Sequence, residues 1–266
     1  MTGDRTPGQP SMNTAATPEA YDRWAHYYDI GEGDRRPHLD FYASLLRPED
    51  RSVLAIGCGT GVIAAGLGDR ISAAGQVPRV VGIDVSANML AIARTRYPAY
   101  EWVQADMREP RVSGDFDLQF CCFNTYQFMR DDQDLARAFA AAREHAAPGG
   151  RLTFDIYQPN LPYLRMARRD SLARTVVHGG RQLQIREDAR YDEATRVLEL
   201  EWRLVAADAP GEVLAATSFI LRQYFADEIE RLLERSGWRM LERYGDLQRA
   251  AFTETSIKQV LVCKPA

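Results

Sequence analysis

The sequence predicts an α/β protein with a doubly wound, mainly parallel sheet and an inserted antiparallel layer. Short aliphatic runs alternate with helical patterns between residues 52 and 157, as expected for βαβ units. The first run ends in a glycine-rich turn, Gly57-Cys58-Gly59-Thr60-Gly61. After Asn160 the helical period gives way to extended, alternating runs. These observations indicate a ligand-binding core followed by a β layer.

Each element follows from its local pattern. Residues 1–17, rich in Gly, Pro, Ser and Thr without periodicity, are predicted to be a disordered arm. The next predicted element is an aromatic helix with Tyr21, Trp24 and Tyr28 on one face. A second helix around Phe41 follows it. Core strands are predicted near 52–57, 79–84, 101–104, 116–123 and 151–157. Core helices are predicted near 62–69, 87–95 and 132–146.

The pattern in the second half of the chain predicts an antiparallel insertion, after which the last elements rejoin the core sheet. Turn residues separate extended runs near 172–178, 182–191, 196–206 and 213–225. A helix from Ala226 to Ser236 and two final runs, 238–243 and 258–263, complete seven core strands with an antiparallel edge. The predicted domains are an arm (1–17), a core with N-terminal lid helices (18–160), a β lid (161–225) and the C-terminal part of the core (226–266).

Composition excludes several classes of protein. The 266 residues are 45% hydrophobic, enough for one large core. A net charge of −4 with scattered arginines argues against nucleic-acid or anionic-membrane partners. No apolar run approaches 18 residues and no secretion segment begins the chain, so we expect a cytoplasmic protein. The four cysteines include no C-x-x-C pair, so we expect core thiols and no metal site.

The glycine turn predicts the ligand's chemistry. Three alternate glycines let a ligand approach the backbone closely, and Asp84, at the end of the next strand, can accept hydrogen bonds from ribose hydroxyls. Dinucleotide-binding folds use G-x-G-x-x-G, whereas Val62 stands here in place of the last glycine. The spacing favours a ligand without phosphates and opposes a nicotinamide-dependent oxidoreductase.

Four ordered segments resemble the motifs of class I S-adenosylmethionine (AdoMet) dependent methyltransferases: VLAIGCGTG, GIDVSANMLAIA, VQADM and APGGRLTFDI. The resemblance implies a Rossmann-like fold and AdoMet as cofactor. Implied or proposed cofactor contacts are Tyr28, Arg36, Gly57, Cys58, Gly59, Gly61, Asp84, Val85, Met89, Asp106, Met107 and Phe123. Arg35 is an alternative to Arg36 as partner of the cofactor carboxylate. Ala55 departs from the family, which carries an acid there, so another acceptor substitutes or the site is altered.

The β lid and the aromatic N-terminal helix resemble small-molecule methyltransferases, including glycine and amino-sugar N-methyltransferases. Asn124 matches a substrate-binding Asn of the glycine enzymes, but Tyr157 or Gln158 occupies the position of their Arg. This departure disfavours glycine and favours an uncharged or larger aromatic acceptor. Proposed catalytic residues are Tyr28, Asn124 and Tyr126. Proposed substrate contacts are Tyr157, Arg222 and Tyr224, with Phe128 also near the cavity.

The predicted reaction is in-line methyl transfer to a nitrogen, less favourably an oxygen, of a small metabolite. Alignment and exclusion of water supply most of the acceleration, so a lid is the main requirement. A neutral amine needs no dedicated base; His38 and His178 are the alternatives if one exists. A fold that binds AdoMet without transferring methyl is the second hypothesis, and a homodimer is left open.

Overall fold

The computed structural model describes residues 18–31 and 33–266, and the predicted arm at 1–17 lies outside the described residues. The helices are α1 (Pro18–Gly31), α2 (Arg36–Ala43), α3 (Val62–Ala73), α4 (Ala87–Arg96), α5 (Asp132–Glu144), α6 (Leu161–Leu164) and α7 (Ala226–Arg235). The core strands are β1 (Ser52–Ile56), β2 (Arg79–Asp84), β3 (Glu101–Gln104), β4 (Phe116–Cys121), β5 (Ala146–Tyr157), β10 (Trp238–Tyr244) and β11 (Lys258–Pro265). The inserted strands are β6 (Arg168–His178), β7 (Arg181–Asp192), β8 (Val197–Ala206) and β9 (Ala209–Arg222).

The main sheet has seven strands in the order β10-β11-β5-β4-β1-β2-β3. Strands β1 to β5 are parallel, whereas β11 runs antiparallel to β5 and β10 antiparallel to β11. The predicted fold class is therefore confirmed, including the antiparallel edge. The order reverses between β1 and β4, and at such a switch point the carboxyl ends of the strands open a crevice for a ligand.

The two faces of this sheet bury separate apolar clusters because side chains alternate along each strand. Leu54 and Ile56 pack with residues of α5 and α7 on one face. Val53 and Ala55 pack with α2 and α3 on the other. Helices thus cover both faces, which explains why the parallel strands read as continuous aliphatic runs.

The second sheet is antiparallel, in the order β6-β7-β8-β9, and lies over the crevice. At one end of the apolar face of this second sheet, Trp24 of α1 packs against Leu183 and Leu204. Leu164 of α6 packs against Leu198 and Leu200 at the other end. Helix α6 was not predicted, since four residues are too few for a periodic signal. Two helices, α1 and α6, therefore fix the lid to the core.

Within residues 18–31 and 33–266, no helix is long and apolar enough to cross a membrane.

Candidate active site

The glycine turn after β1 is shaped by two close approaches. Gly57 has φ +68° and Gly59 has φ +53°, both in the left-handed region that favours glycine. A Cβ at Gly57 would overlap the Thr125 side chain, and one at Gly59 would lie 3.2 Å from the ring of Tyr28. Glycine therefore lets both Thr125 and α1 press against this turn.

The Asp84 carboxylate is oriented by the backbone around it. Its Oδ2 accepts a hydrogen bond from the Gly59 N–H at 2.8 Å, and its Oδ1 accepts from the Ser86 N–H at 2.9 Å. Ser86 in turn caps α4 by accepting from the Met89 N–H at 3.2 Å. The carboxylate is thus fixed at the end of β2, facing the crevice, where it can accept further hydrogen bonds from a ligand.

A cavity of about 460 Å³ opens beside this turn, and we call it the glycine-turn cavity. Eight predicted cofactor contacts line it: Tyr28, Gly57, Gly59, Asp84, Val85, Met89, Asp106 and Met107. Its far wall holds a charged cluster, because Arg108 pairs with Asp106 at 2.6 Å and with Asp134 at 2.8 Å. The Arg108 guanidinium holds the pKa of Asp106 below its ordinary value. The cavity therefore presents fixed carboxylates at two ends and apolar side chains between them.

A second cavity of about 360 Å³ lies between the core and the inserted sheet. We call it the lid cavity; Asn124, Tyr157 and Leu200 are among its lining residues. Phe128 lines both cavities, while Thr125 lines the first and Asn124 the second. The segment after β4 thus forms the partition between two adjoining chambers.

That partition contains two consecutive residues in the left-handed region, Phe123 (φ 58°) and Asn124 (φ 62°). Asp155 of β5 holds both of them. Its Oδ1 accepts from the Phe123 N–H at 3.2 Å, and its carbonyl accepts from the Asn124 N–H at 3.2 Å. Unfavourable backbone conformations of this kind persist only where the surroundings impose them, and they cluster at functional sites.

A buried ion pair completes the partition. The Lys258 ammonium of β11 donates to Asp155 Oδ2 at 2.5 Å and to Asn124 Oδ1 at 3.2 Å. The Tyr42 hydroxyl donates to the other Asp155 oxygen at 2.7 Å. Burial alone would raise the pKa of the Asp155 carboxyl, but Lys258 and then His38 outweigh it and hold that pKa well below its ordinary value. Asn124 is therefore fixed through both its backbone and its side chain.

Arg36, which was predicted to bind the cofactor, lies at the surface. Its side chain is 83% exposed and pairs with Asp34 at 2.7 Å, away from the glycine turn. Arg35, the alternative, lies over the Tyr28 ring at 4.8 Å and pairs with Asp29 at 2.7 Å. The two arginines are neighbours, but only Arg35 faces inward, because Arg36 begins α2 on its solvent side.

Three other predicted cofactor contacts lie elsewhere. Gly61 is the N-cap residue of α3, where a Cβ would overlap the Trp102 ring, so this glycine allows close core packing. The Cys58 side chain also packs against the core, and burial raises the pKa of its thiol. Phe123 lines the lid cavity and not the glycine-turn cavity.

Three predicted catalytic or substrate residues have their contacts within the protein. Tyr126 is 1% exposed between Phe139 and Phe154. Tyr224 is fully buried, and its hydroxyl lies 2.8 Å from the Met129 carbonyl, to which it donates. Arg222 pairs with Asp132 at 2.9 Å. Among the described residues none of these three lines either cavity.

Neither predicted alternative base reaches a cavity wall. His38 stacks behind Phe123 with ring centroids 4.0 Å apart, and its Nε2 lies 3.6 Å from Asp155 Oδ2. His178 is exposed at the end of β6. Tyr21 was predicted to share a helix face with Trp24 and Tyr28, and its side chain lies outside those described.

Sequence reasoning missed the residues that build the lid cavity. Asp155 and Lys258 could have been noticed as charges within or beside buried strands. Arg168 and Glu187, which line the cavity themselves, carry no signal beyond ordinary alternation. At the glycine turn, Ala55 stands where the resembling family carries an acid. Asp29 of α1 accepts from the Thr60 hydroxyl at 2.6 Å and so brings a carboxylate to this turn.

The chain is similar to known proteins in sequence and in fold. Residues 53–150 match the methyltransferase domain family. The chain is 27% identical over 223 residues to the dTDP-3-amino-3,6-dideoxy-alpha-D-glucopyranose N,N-dimethyltransferase of Streptomyces fradiae, covering 80% of this chain and 82% of that protein. Among solved structures, the CcbJ methyltransferase of Streptomyces caelestis superposes with a TM-score of 0.77 at 23% identity, covering 93% of this chain and 98% of that one. The amino pentose methyltransferase CalS10 of Micromonospora echinaspora, solved with bound AdoMet, gives 0.67 at 22% identity, covering 91% and 95%.

The domain match covers the glycine turn, Asp84 and the Asp106 segment, which are the parts that surround the first cavity. It sets aside the nicotinamide-dependent alternative and supports AdoMet as the cofactor. Together with the order of the four motifs and the topology of the sheet, it indicates that residues 53–150 form an AdoMet-dependent methyltransferase domain within a class I methyltransferase fold.

Proposed function

We propose that this chain transfers the methyl group of AdoMet to the nitrogen of a small-molecule amine bound in the lid cavity. The observation that carries this proposal is the junction of the two cavities at Phe128. A cofactor in one chamber and an acceptor in the other would meet across the segment from Phe123 to Phe128. The similarity to the Streptomyces fradiae N,N-dimethyltransferase, which is named for an amino-sugar substrate, favours nitrogen over oxygen.

The glycine-turn cavity fits AdoMet by its donors and its shape. Asp84 would hold the ribose hydroxyls, since its carboxylate is fixed by two N–H donors and faces the cavity. Met89 and Met107 offer apolar surface for the nucleoside, and Asp106 lies beside them. Tyr28 would wall off the methionyl end, because its ring already lies against Gly59. When bound, AdoMet supplies an electrophilic methyl group on a sulfonium.

The chain's own contribution is alignment. Asn124 would orient the acceptor, because Lys258 and Asp155 fix its amide at the wall of the lid cavity. Tyr28 and Phe128 would exclude water where the chambers join, and no described histidine lines either wall. The geometry therefore supports catalysis by positioning an amine that arrives neutral.

The decisive experiment is incubation with AdoMet and a panel of primary and secondary amines, followed by mass spectrometry of the products. Transfer predicts a gain of about 14 mass units on the amine and formation of S-adenosylhomocysteine. Fragmentation that places the methyl on oxygen would contradict the nitrogen assignment. Cofactor binding with no product from any amine, alcohol or cell extract would favour the second hypothesis, an AdoMet-binding fold without transfer, for which Ala55 was the support.

A further inference from the structure

The lid cavity contains a buried ion pair that the reaction itself does not need. Arg168 begins β6, and its Nε donates to Glu187 Oε1 of β7 at 2.7 Å. The Trp202 indole N–H donates to the other carboxylate oxygen at 2.8 Å. The side chains of Arg168 and Glu187 are only 13% and 12% exposed. Both line the cavity, so its lid side carries a pair of net charge zero.

This pair leaves one hydrogen-bond donor of Arg168 without a partner. Among the described residues, Arg168 Nη1 is buried without a hydrogen-bond partner, and so is the Gln158 amide oxygen. Both residues line the lid cavity. Buried polar groups are usually paired, and leaving them unpaired is costly. A ligand that accepts one hydrogen bond and donates another would satisfy both.

The remaining walls oppose a net charge. Most of the lid side is apolar, formed by Leu164, Leu198, Leu200, Phe219 and Leu221. Lys258, which contacts the lining residues Asn124 and Tyr157, is already paired with Asp155. In the described part of the chain we find two cations at this cavity, Arg168 and Lys258. Each is therefore paired with its own carboxylate. An added carboxylate or phosphate would leave uncompensated negative charge among apolar side chains.

We propose that the acceptor is an amine with an apolar body and an uncharged polar group, such as an amide or a hydroxyl, which Arg168 and Gln158 bind. Glu187 is then a specificity-determining residue, since it cancels the charge that would otherwise attract an acid. Acidic amines, including amino sugars linked to a nucleotide diphosphate, are excluded. This inference rests on the proposed function and adds the class of substrate.

The test compares two amines of equal shape, 4-aminobenzamide and 4-aminobenzoate, whose amino groups are both neutral at neutral pH. Calorimetry measures the binding of each to the whole protein saturated with S-adenosylhomocysteine. Wild type should bind the benzamide at least about tenfold more tightly. Glu187→Gln should reduce that ratio by about tenfold or reverse it, because Arg168 then carries an unbalanced charge. Arg168→Met should weaken the benzamide and leave the benzoate poorly bound.

A matched control is Glu199→Gln, which removes a carboxylate from the opposite face of the inserted sheet and should leave the ratio unchanged. Thermal unfolding and S-adenosylhomocysteine affinity verify that each variant is folded. Benzoate binding equal to or tighter than benzamide in wild type would overturn the inference, as would a ratio that Glu187→Gln does not move. Methyl transfer to the benzoate contradicts this inference and leaves the proposed function intact. A retained benzamide preference with no methyl transfer to any amine contradicts the proposed function alone.

Discussion

The glycine-turn cavity and the lid cavity adjoin, yet they are built in different ways. The first is shaped by backbone: a turn of left-handed glycines, the Gly59 and Ser86 N–H groups, and one strand-end carboxylate. The second is shaped by side chains from β5, β6, β7, β8 and β9, with the Arg168–Glu187 pair in its wall and the Lys258–Asp155 pair behind the lining residue Asn124. A backbone-defined chamber suits one constant cofactor. A side-chain-defined chamber can be altered residue by residue to suit an acceptor.

The largest effect should come from the ion pair in the partition between the chambers. Lys258→Met would leave the Asp155 carboxylate buried without its ammonium partner, and breaking such a pair costs about 3 to 5 kcal/mol. Urea unfolding at pH 7 measures this loss. The double variant Lys258→Met, Asp155→Asn removes both charges and should regain part of it. A loss below about 1 kcal/mol, the range of exposed pairs, would show that the partition does not depend on this pair.

The same pair predicts a pH dependence of stability. The folded-state pKa of Asp155 lies below the ordinary value of 3.8, so its contribution is fully present above that pH. It is lost as the pH falls through the folded pKa. Wild type should therefore resist acid unfolding better than the double variant at pH 5, with the difference shrinking as the pH drops below 4. Unfolding midpoints measured across pH 2 to 7 check this sign.

The contrast between the cavities also explains what the sequence could predict. Gly57, Gly59, Asp84, Met89 and Asp106 line the glycine-turn cavity as expected, because contiguous motifs determine backbone turns and strand ends. The lid cavity depends on which side chains meet after folding, and alternation along a strand does not reveal that. Arg168 and Glu187 were missed for this reason.

The predicted site residues that line neither cavity share a physical explanation. Tyr126 and Tyr224 are aromatic residues near strand ends, and the same composition serves a core or a cavity wall. Arg36 was confused with Arg35 because adjacent residues at a helix start face opposite sides. Local pattern locates a segment, whereas burial and partners decide what each side chain does.

Asp84→Ala tests whether the glycine-turn cavity binds cofactor through its fixed carboxylate. Losing two charge-assisted hydrogen bonds should weaken AdoMet by about 2 to 4 kcal/mol, or about 30- to 1,000-fold in Kd. Calorimetric titration measures the AdoMet affinity. The control is Asp115→Ala, which makes the same substitution at an exposed position. Unchanged affinity would remove Asp84 from the site. A collapse of the melting temperature would assign it to the turn instead, through its bond to Gly59.

Tyr28→Phe tests whether the Tyr28 hydroxyl takes part in methyl transfer. The ring would still cover Gly59, so AdoMet affinity should change less than about threefold, whereas turnover on an accepted amine should fall about tenfold if the hydroxyl aligns the reacting groups. Tyr28→Ala should damage both quantities. Wild-type turnover in the Phe variant would limit Tyr28 to packing. The methyl-facing role would then pass to Tyr157, which lines the lid cavity.

Tyr126→Phe should have the smallest effect and the opposite sign. The Tyr126 hydroxyl is buried without a hydrogen-bond partner among the described residues, and burial raises its pKa well above the ordinary value. Removing an unpaired hydroxyl relieves a desolvation penalty, so the free energy of unfolding should stay constant or rise by up to about 1 kcal/mol. Turnover and AdoMet affinity should not change, because the ring lies between Phe139 and Phe154 outside both cavities. A tenfold fall in turnover with normal stability would restore Tyr126 as a catalytic residue, and it would mean that the partition opens far enough for a core side chain to reach the acceptor.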